Sequence, residues 1–170
     1  MTAYAALLRA VNVGGRKLIM DDLKSIAADV GLEHARTFIA SGNLLFTSDR
    51  GEAEVKSALE EALGRHMNAD VPVMVRTRLE MDAVASANPF PEEPGNRVVA
   101  IFLDVPPPLD ALSHASRVRD ERMALGTREI YVAYGSGMAD SKLRIPAAAN
   151  GTARNMNSVS KMAALLKEME

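Results

Sequence analysis

Cysteine and tryptophan are both absent from this chain of 170 residues. Without cysteine there is no disulfide scaffold, and zinc ribbons, iron–sulfur clusters and thiol catalysis are excluded as well. The three histidines stand at positions 34, 66 and 114, so no two have the close spacing of paired metal ligands. We therefore predict no metal site and no cofactor, and we identify no catalytic motif.

Aromatic side chains make up only 4% of the residues, and the formal net charge is −2. Binding of single-stranded nucleic acid needs several aromatic rings on one sheet face, and general nucleic-acid binders are strongly basic. No apolar stretch approaches the roughly 18 residues that a bilayer span needs. The first residues also lack a basic segment leading into an apolar run. These absences predict a cytoplasmic protein and argue against membrane or nucleic-acid partners.

The first half of the chain alternates strand-like runs with helical spacing. In order, the pattern predicts a strand at 4–8, a helix ending at Gly31, strands at 35–39 and 44–47, a helix over 52–67 and a strand at 72–76. This β-α-β-β-α-β order is that of a ferredoxin-like unit.

The second half repeats this order less completely. Thr77 and Glu80 have capping-box spacing, which predicts a helix that ends before Pro89. After a proline-rich link, the pattern predicts a strand at 98–105, a short helix near 109–116, strands at 119–125 and 129–134, and a terminal helix with Val159, Met162, Ala163 and Leu166 on its apolar face. No final strand is evident, so this half is either incomplete or completed by strand exchange, within the chain or in a dimer.

The fold prediction is α+β with two ferredoxin-like subdomains. Residues 1–77 form the first, residues 78–96 a helix and linker, and residues 97–170 the second subdomain with the C-terminal helix. The alternative is one continuous sheet with helices on one side. Monomer and homodimer both remain open.

Positive charge is concentrated in two segments that contain no acidic residue. The cations of residues 1–20 and 141–162 are Arg9, Arg16, Lys17, Lys142, Arg144, Arg154 and Lys161. Glycine in such segments lets backbone amides approach a ligand, and Lys and Arg bind phosphate or carboxylate. If the fold joins the segments, they form an anion pocket; otherwise both are solvated loops.

Two glycine motifs lie between predicted elements. Gly14-Gly15-Arg16-Lys17 is not a Walker A loop, because Leu18 follows the lysine where Ser or Thr is required. It is either a structural turn or an anion contact. Ser41-Gly42-Asn43 is typical of a hairpin turn, since Gly and Asn tolerate positive φ.

Three longer segments, taken together, resemble a known family. They are Leu7-Leu8-Arg9-Ala10-Val11-Asn12-Val13-Gly14-Gly15, Phe38-Ile39-Ala40-Ser41-Gly42-Asn43 and Thr152-Ala153-Arg154-Asn155-Met156-Asn157. With the shorter matches Asn88-Pro89-Phe90 and Ser141-Lys142-Leu143, they are similar to the motifs of the uncharacterised bacterial domain-of-unknown-function family 1697.

The resemblance implies an α+β fold of two related subdomains and implies no activity. Two positions depart from the family pattern, which usually has Gly in place of Ala10 and Trp in place of Met156. If the Trp stacks on a ligand, Met156 weakens that contact; if it is a core residue, Met replaces it readily.

The predicted ligand-binding residues combine the motif positions with the cationic segments. They are Arg9, Asn12, Gly14, Gly15, Lys17, Ser41, Gly42, Asn43, Lys142, Thr152, Arg154, Asn155 and Lys161. We expect Arg9, Asn43 and Arg154 to surround one cleft. The alternative places Asn43 and Arg154 in structural hydrogen bonds that join the two halves.

These residues favour a binding protein for a small anionic ligand, either phosphorylated or nucleotide-like. The motifs contain no carboxylate, His or Cys to act as base or nucleophile. The alternative is an enzyme that acts on a phosphorylated substrate, with Lys and Arg stabilising developing charge. RNA binding is a weaker alternative that rests on the fold class alone.

Overall fold

The computed structural model describes residues 1–9, 18–39 and 42–170. The chain divides into two compact units, of which the first comprises Met1–Met81 with Met162–Glu170 and the second comprises Asp82–Lys161. Each unit contains a four-stranded antiparallel sheet. The predicted α+β fold with two ferredoxin-like subdomains is therefore confirmed, and the alternative of one continuous sheet is wrong.

The first unit has the element order that the sequence pattern predicts. Its elements are β1 (Thr2–Leu8), α1 (Met20–Asp29), β2 (Glu33–Thr37), β3 (Asn43–Ser48), α2 (Glu52–Met67) and β4 (Val73–Thr77). The strands lie in the order β2-β3-β1-β4. Just after α1, Gly31 has φ +85°, a left-handed geometry that glycine adopts without steric cost.

Helices α1 and α2 bury an apolar core with one face of the first sheet. The rings of Tyr4 and Phe46 stack within this core at 5.6 Å between centroids. Four buried side chains of α2 recur every fourth residue, which places them on one side of the helix; they are Val55, Leu59, Leu63 and Met67.

The second unit contains a complete sheet. Its strands are β5 (Val98–Phe102), β6 (Arg122–Leu125), β7 (Glu129–Ala133) and β8 (Thr152–Asn155), in the spatial order β6-β7-β5-β8. That order repeats the first sheet. Strand β8 pairs with β5 of the same chain, so the prediction of an incomplete or strand-exchanged second subdomain is wrong. The sequence hid β8 because its four residues, Thr-Ala-Arg-Asn, form no apolar run.

The second unit lacks the crossover helices of the first. The connection from β5 to β6 carries only a four-residue 3-10 helix, Ala111–His114, where the sequence predicted a helix near 109–116. The connection from β7 to β8 carries a three-residue 3-10 helix, Pro146–Ala148. The helices at the equivalent places in the first unit have 10 and 16 residues. The face of the second sheet on which these 3-10 helices pack is therefore covered by much less helix than the equivalent face of the first sheet.

The remaining helices are α3 (Arg78–Ser86) and α4 (Met156–Met169). The capping box of α3 is confirmed: the Glu80 amide donates to Thr77 Oγ1 at 3.1 Å, and the Thr77 amide donates to Glu80 Oε1 at 2.9 Å. The predicted apolar face of α4 is buried as expected. The predicted domain boundaries stay a prediction, and residues Met162–Glu170 fall in the first compact unit. There, Glu170 accepts hydrogen bonds from Ala3 and Arg78.

Candidate functional site

The predicted ligand residues are distributed over both units. Five of them lie outside the described residues, namely Asn12, Gly14, Gly15, Lys17 and Ser41. Of the others, Arg9, Gly42 and Asn43 belong to the first unit, and Lys142, Thr152, Arg154, Asn155 and Lys161 belong to the second. The expected cleft around Arg9, Asn43 and Arg154 stays a prediction.

Asn43 is buried and hydrogen-bonded at the start of β3. Its side-chain amide donates to the Phe38 carbonyl at 2.9 Å, while the Phe38 backbone amide donates to the Asn43 carbonyl at 3.1 Å. The side chain thus ties together the two sides of the connection between β2 and β3. In the same unit, the Arg9 amide donates to the Pro72 carbonyl at 3.0 Å, which extends the pairing of β1 with β4 by one bond.

Arg154 lies in β8, and its guanidinium is hydrogen-bonded within its own strand. Nη1 donates to Thr152 Oγ1 at 2.7 Å and to the Ala153 carbonyl at 2.9 Å. Burial lowers the pKa of Arg154 to about 10. The Thr152 hydroxyl therefore helps to hold this partly desolvated cation.

Asn155 has a structural contact at the start of α4. Its Oδ1 accepts the backbone amide of Ser158 at 2.9 Å, which is the N-cap geometry of a helix that begins at Met156. Lys142 and Lys161, by contrast, are exposed to solvent. Of the predicted ligand residues in the second unit, Arg154 and Asn155 make structural hydrogen bonds, whereas Lys142 and Lys161 are exposed to solvent.

A pocket of about 720 Å³ opens in the second unit among residues that the sequence did not select. Ile101 of β5 and Tyr134, the residue just after β7, contribute to it, together with segments 116–117 and 143–149. Ile101, Tyr134, Leu143 and Ala148 also pack against the apolar core of the unit. The pocket therefore lies over the sheet face that the short 3-10 helices leave less covered.

Arg154 lies on the other face of this sheet. It pairs directly with Ala100, whereas the next residue of β5, Ile101, lines the pocket. Directly paired residues share a face, and neighbouring residues of a strand point to opposite faces. The second cationic segment is thus divided between two faces, with Arg144 at the pocket and Arg154 opposite.

Two arginines line the exposed side of the pocket. Arg117 and Arg144 are both solvent-exposed, and within the described part of the chain no carboxylate forms an ion pair with either guanidinium. Burial raises the pKa of the Tyr134 hydroxyl above its ordinary value of 10.0, and the charge of Glu121 adds to the effect. At neutral pH this phenol is protonated. Together the three side chains offer hydrogen-bond donors and two positive charges.

Backbone pairing positions the arginines. Ser116 and Arg144 exchange two backbone hydrogen bonds, of 2.9 Å and 3.0 Å, which hold segments 116–117 and 143–149 side by side. Arg117 has φ 57°, a left-handed conformation that is uncommon for a residue with a Cβ atom. Such strain persists where the surrounding structure enforces it, often at functional sites.

Buried Glu121 supports the same arrangement. Its Oε1 accepts the Arg119 backbone amide at 2.7 Å, and its other oxygen accepts the Ser141 hydroxyl. The Ser141 hydroxyl in turn accepts the Leu143 amide at 3.2 Å. These contacts, first of all the bond from Ser141, hold the pKa of Glu121 below its usual range. The segment Ser141-Lys142-Leu143 therefore anchors the pocket wall through its serine.

Sequence reasoning noted Arg144 as a cation but missed Ser116, Arg117 and Tyr134 as neighbours. They stand in segments without periodicity, and only the pairing of Ser116 with Arg144 brings them together. One sequence signal was available, namely the lack of a helical pattern between β7 and β8. The lack of this pattern indicates that no crossover helix packs on that face of the second sheet.

Residues 1–9, 18–39 and 42–170 contain no group of three or more His, Cys, Asp or Glu side chains suited to hold a metal ion. No helix in these ranges has the length and apolar character needed to cross a membrane.

Comparison with known proteins gives a family and a structural relative. The family model described as "Protein of unknown function (DUF1697)" matches residues 1–131. The structure of the conserved bacterial protein SP0830 from Streptococcus pneumoniae is similar, with a TM-score of 0.81 and 25% sequence identity. The alignment covers 98% of this chain and 99% of that one. The search of curated proteins gave no match.

Proposed function

We propose that this chain, which belongs to the family of proteins of unknown function DUF1697, binds a small anionic ligand in the pocket of its second unit. Because the family description names no activity, the proposal rests on the geometry of the pocket. The observation that carries this proposal is the pair Arg117 and Arg144, which line one pocket without a carboxylate partner among the described residues. An anion would supply the missing countercharge, and each guanidinium can bind a phosphate or carboxylate through two parallel hydrogen bonds.

Two further features of the pocket support an anion. The phenol of Tyr134 is a donor at neutral pH, because burial above all, and then the charge of Glu121, raises its pKa. Arg117 also keeps a left-handed backbone conformation that glycine would adopt at lower cost. A strained arginine in a pocket fits a role for its side chain in binding.

The proposal is tested by calorimetric titration with phenyl phosphate at constant ionic strength. We expect saturable binding, and we expect it to weaken at least tenfold in the Arg144→Ala variant and in the Arg117→Gly variant. Glycine accepts φ 57° without strain, so lost binding in Arg117→Gly does not reflect a damaged fold. Its melting temperature should stay close to that of the unchanged protein, because relief of the strained φ offsets the greater unfolded-chain entropy of glycine.

Arg119→Ala is the matched control. Arg119 is an exposed arginine two residues after Arg117, and it does not line the pocket. Its replacement should leave the affinity within twofold. If phenyl phosphate does not bind, or if it binds equally well to the Arg117→Gly and Arg144→Ala variants, the proposed function is wrong.

The other two candidate functions gain less support. All aromatic residues in the described strands, Tyr4, Phe46, Phe102 and Tyr131, are buried in their units and offer no surface for base stacking. For an enzyme acting on a phosphorylated substrate, the pocket lining supplies no carboxylate and no histidine as a general base.

A further inference from the structure

We infer that the ligand is amphiphilic, with a carboxylate or phosphate head on an apolar body, and that it is not a nucleotide. This inference rests on the proposed function, since it names the ligand class for the same pocket. It follows from how polar and apolar groups are distributed in the lining.

The inner part of the pocket is apolar. Ile145 is buried, and Ile101, Leu143 and Ala148 are half-buried. These side chains belong to the core of the second unit or pack against it. The charged groups, Arg117 and Arg144, are exposed and therefore stand nearer the solvent. A ligand that fits both parts has a charged end and an apolar end.

The lining offers few partners for a nucleotide. It contains no Asp, Glu, Asn or Gln side chain, so its only side-chain acceptors are the hydroxyls of Ser116 and Tyr134. A bound ribose and base bury several donors and acceptors, and each one left without a partner weakens binding. An apolar body has no such requirement.

The size of the pocket agrees with an organic ligand. A volume of about 720 Å³ lies within the range of roughly 300–1,000 Å³ that small-molecule sites occupy. Inorganic phosphate would pair with the arginines but leave the apolar inner surface in contact with water. A ligand with a longer apolar body removes that surface from water and is therefore expected to bind more tightly.

The test is a calorimetric series with ethyl phosphate, hexyl phosphate, hexan-1-ol and AMP, each below its aggregation concentration. Full burial of one methylene strengthens binding by about fourfold. We therefore expect hexyl phosphate to bind at least tenfold more tightly than ethyl phosphate and AMP. Hexan-1-ol, which lacks the charge, should bind at least tenfold more weakly than hexyl phosphate.

Two variants separate the parts of the pocket. Ile101→Thr keeps a β-branched residue in β5 but makes the inner surface more polar, so it should reduce the preference for hexyl over ethyl phosphate at least threefold. Arg117→Gly should weaken both phosphates alike. Equal affinity for hexyl phosphate, ethyl phosphate and AMP, with binding still dependent on the arginines, would overturn this inference and leave the proposed function intact. Phosphate binding that does not depend on Arg117 and Arg144 overturns the proposed function itself.

Discussion

Polar side chains that the sequence analysis selected make structural hydrogen bonds within their own units. Asn43, Arg154 and Asn155 each contact nearby backbone or a neighbouring side chain. Among the described residues, every buried side-chain nitrogen or oxygen has a hydrogen-bond partner. For Asn43 these bonds indicate a structural role within the first unit, because a buried amide without partners carries a large desolvation penalty.

Replacement of Asn43 by alanine tests this role. We expect Asn43→Ala to lower the free energy of unfolding by about 0.5–1.5 kcal/mol, since the hydrogen bond from the Asn43 side chain to the part-buried Phe38 carbonyl is lost. Urea denaturation followed by circular dichroism measures the change. Asn96→Ala, at an exposed asparagine, should change stability by less than about 0.5 kcal/mol. Equal stability of the Asn43→Ala variant and the unchanged protein would show that the side chain is not a structural anchor.

Among the secondary-structure elements, α3 shows how far a local capping signal can be trusted. The capping box of Thr77 and Glu80 gave the start of α3 correctly, because it depends only on residues three apart. Strand β8, by contrast, was not predicted from its local sequence. Its position is fixed by pairing with β5, some 50 residues earlier in the chain, and not by its own apolar content.

The contribution of the α3 cap is measurable. Thr77→Ala should lower the free energy of unfolding by about 1 kcal/mol, because the Glu80 amide loses its acceptor. Thr77→Ser retains the hydroxyl and should recover most of this loss. Thr127→Ala, at an exposed turn residue, is the control. Thermal unfolding of the four proteins decides the point: equal losses in the alanine and serine variants of Thr77 would contradict the capping role.

At the scale of the whole molecule, the chain's last residues belong to the first unit and not to the second. Glu170 accepts the Ala3 amide at 3.0 Å and the Arg78 guanidinium at 3.0 Å, and these bonds, with Ala3 the larger cause, lower its pKa. A carboxyl group with a lowered pKa in the folded state stabilises the fold above its ordinary pKa. That contribution is lost as the pH falls through the folded-state value.

A pH series tests the contact of Glu170. Glu170→Gln should melt at a lower temperature than the unchanged protein at pH 7, and the difference should shrink as the pH falls below the ordinary pKa of 4.5. Glu168→Gln, at an exposed neighbour, should show a much smaller difference at every pH. A difference between the Glu170 variant and the unchanged protein that is constant from pH 7 to pH 3 would contradict the assignment.

Strand exchange no longer provides a reason to expect a dimer, since β8 completes the second sheet within the chain. Monomer or homodimer, and the cytoplasmic location, stay predictions. Size-exclusion chromatography with light scattering distinguishes the two assembly states directly.

The sequence by itself determined the α+β class, the ferredoxin-like order of the first unit, the α3 cap and the buried face of α4. The helix faces, the strands and the cap depend on spacing of two to four residues within one element, where side-chain periodicity and local hydrogen bonds act, and the fold class follows from the order of these elements. Only the tertiary structure decided that β8 completes the second sheet and that Arg144 meets Arg117 and Tyr134 over a sparsely covered sheet face. These contacts join segments with no shared period, and they form because strand pairing brings together residues that are distant in the chain.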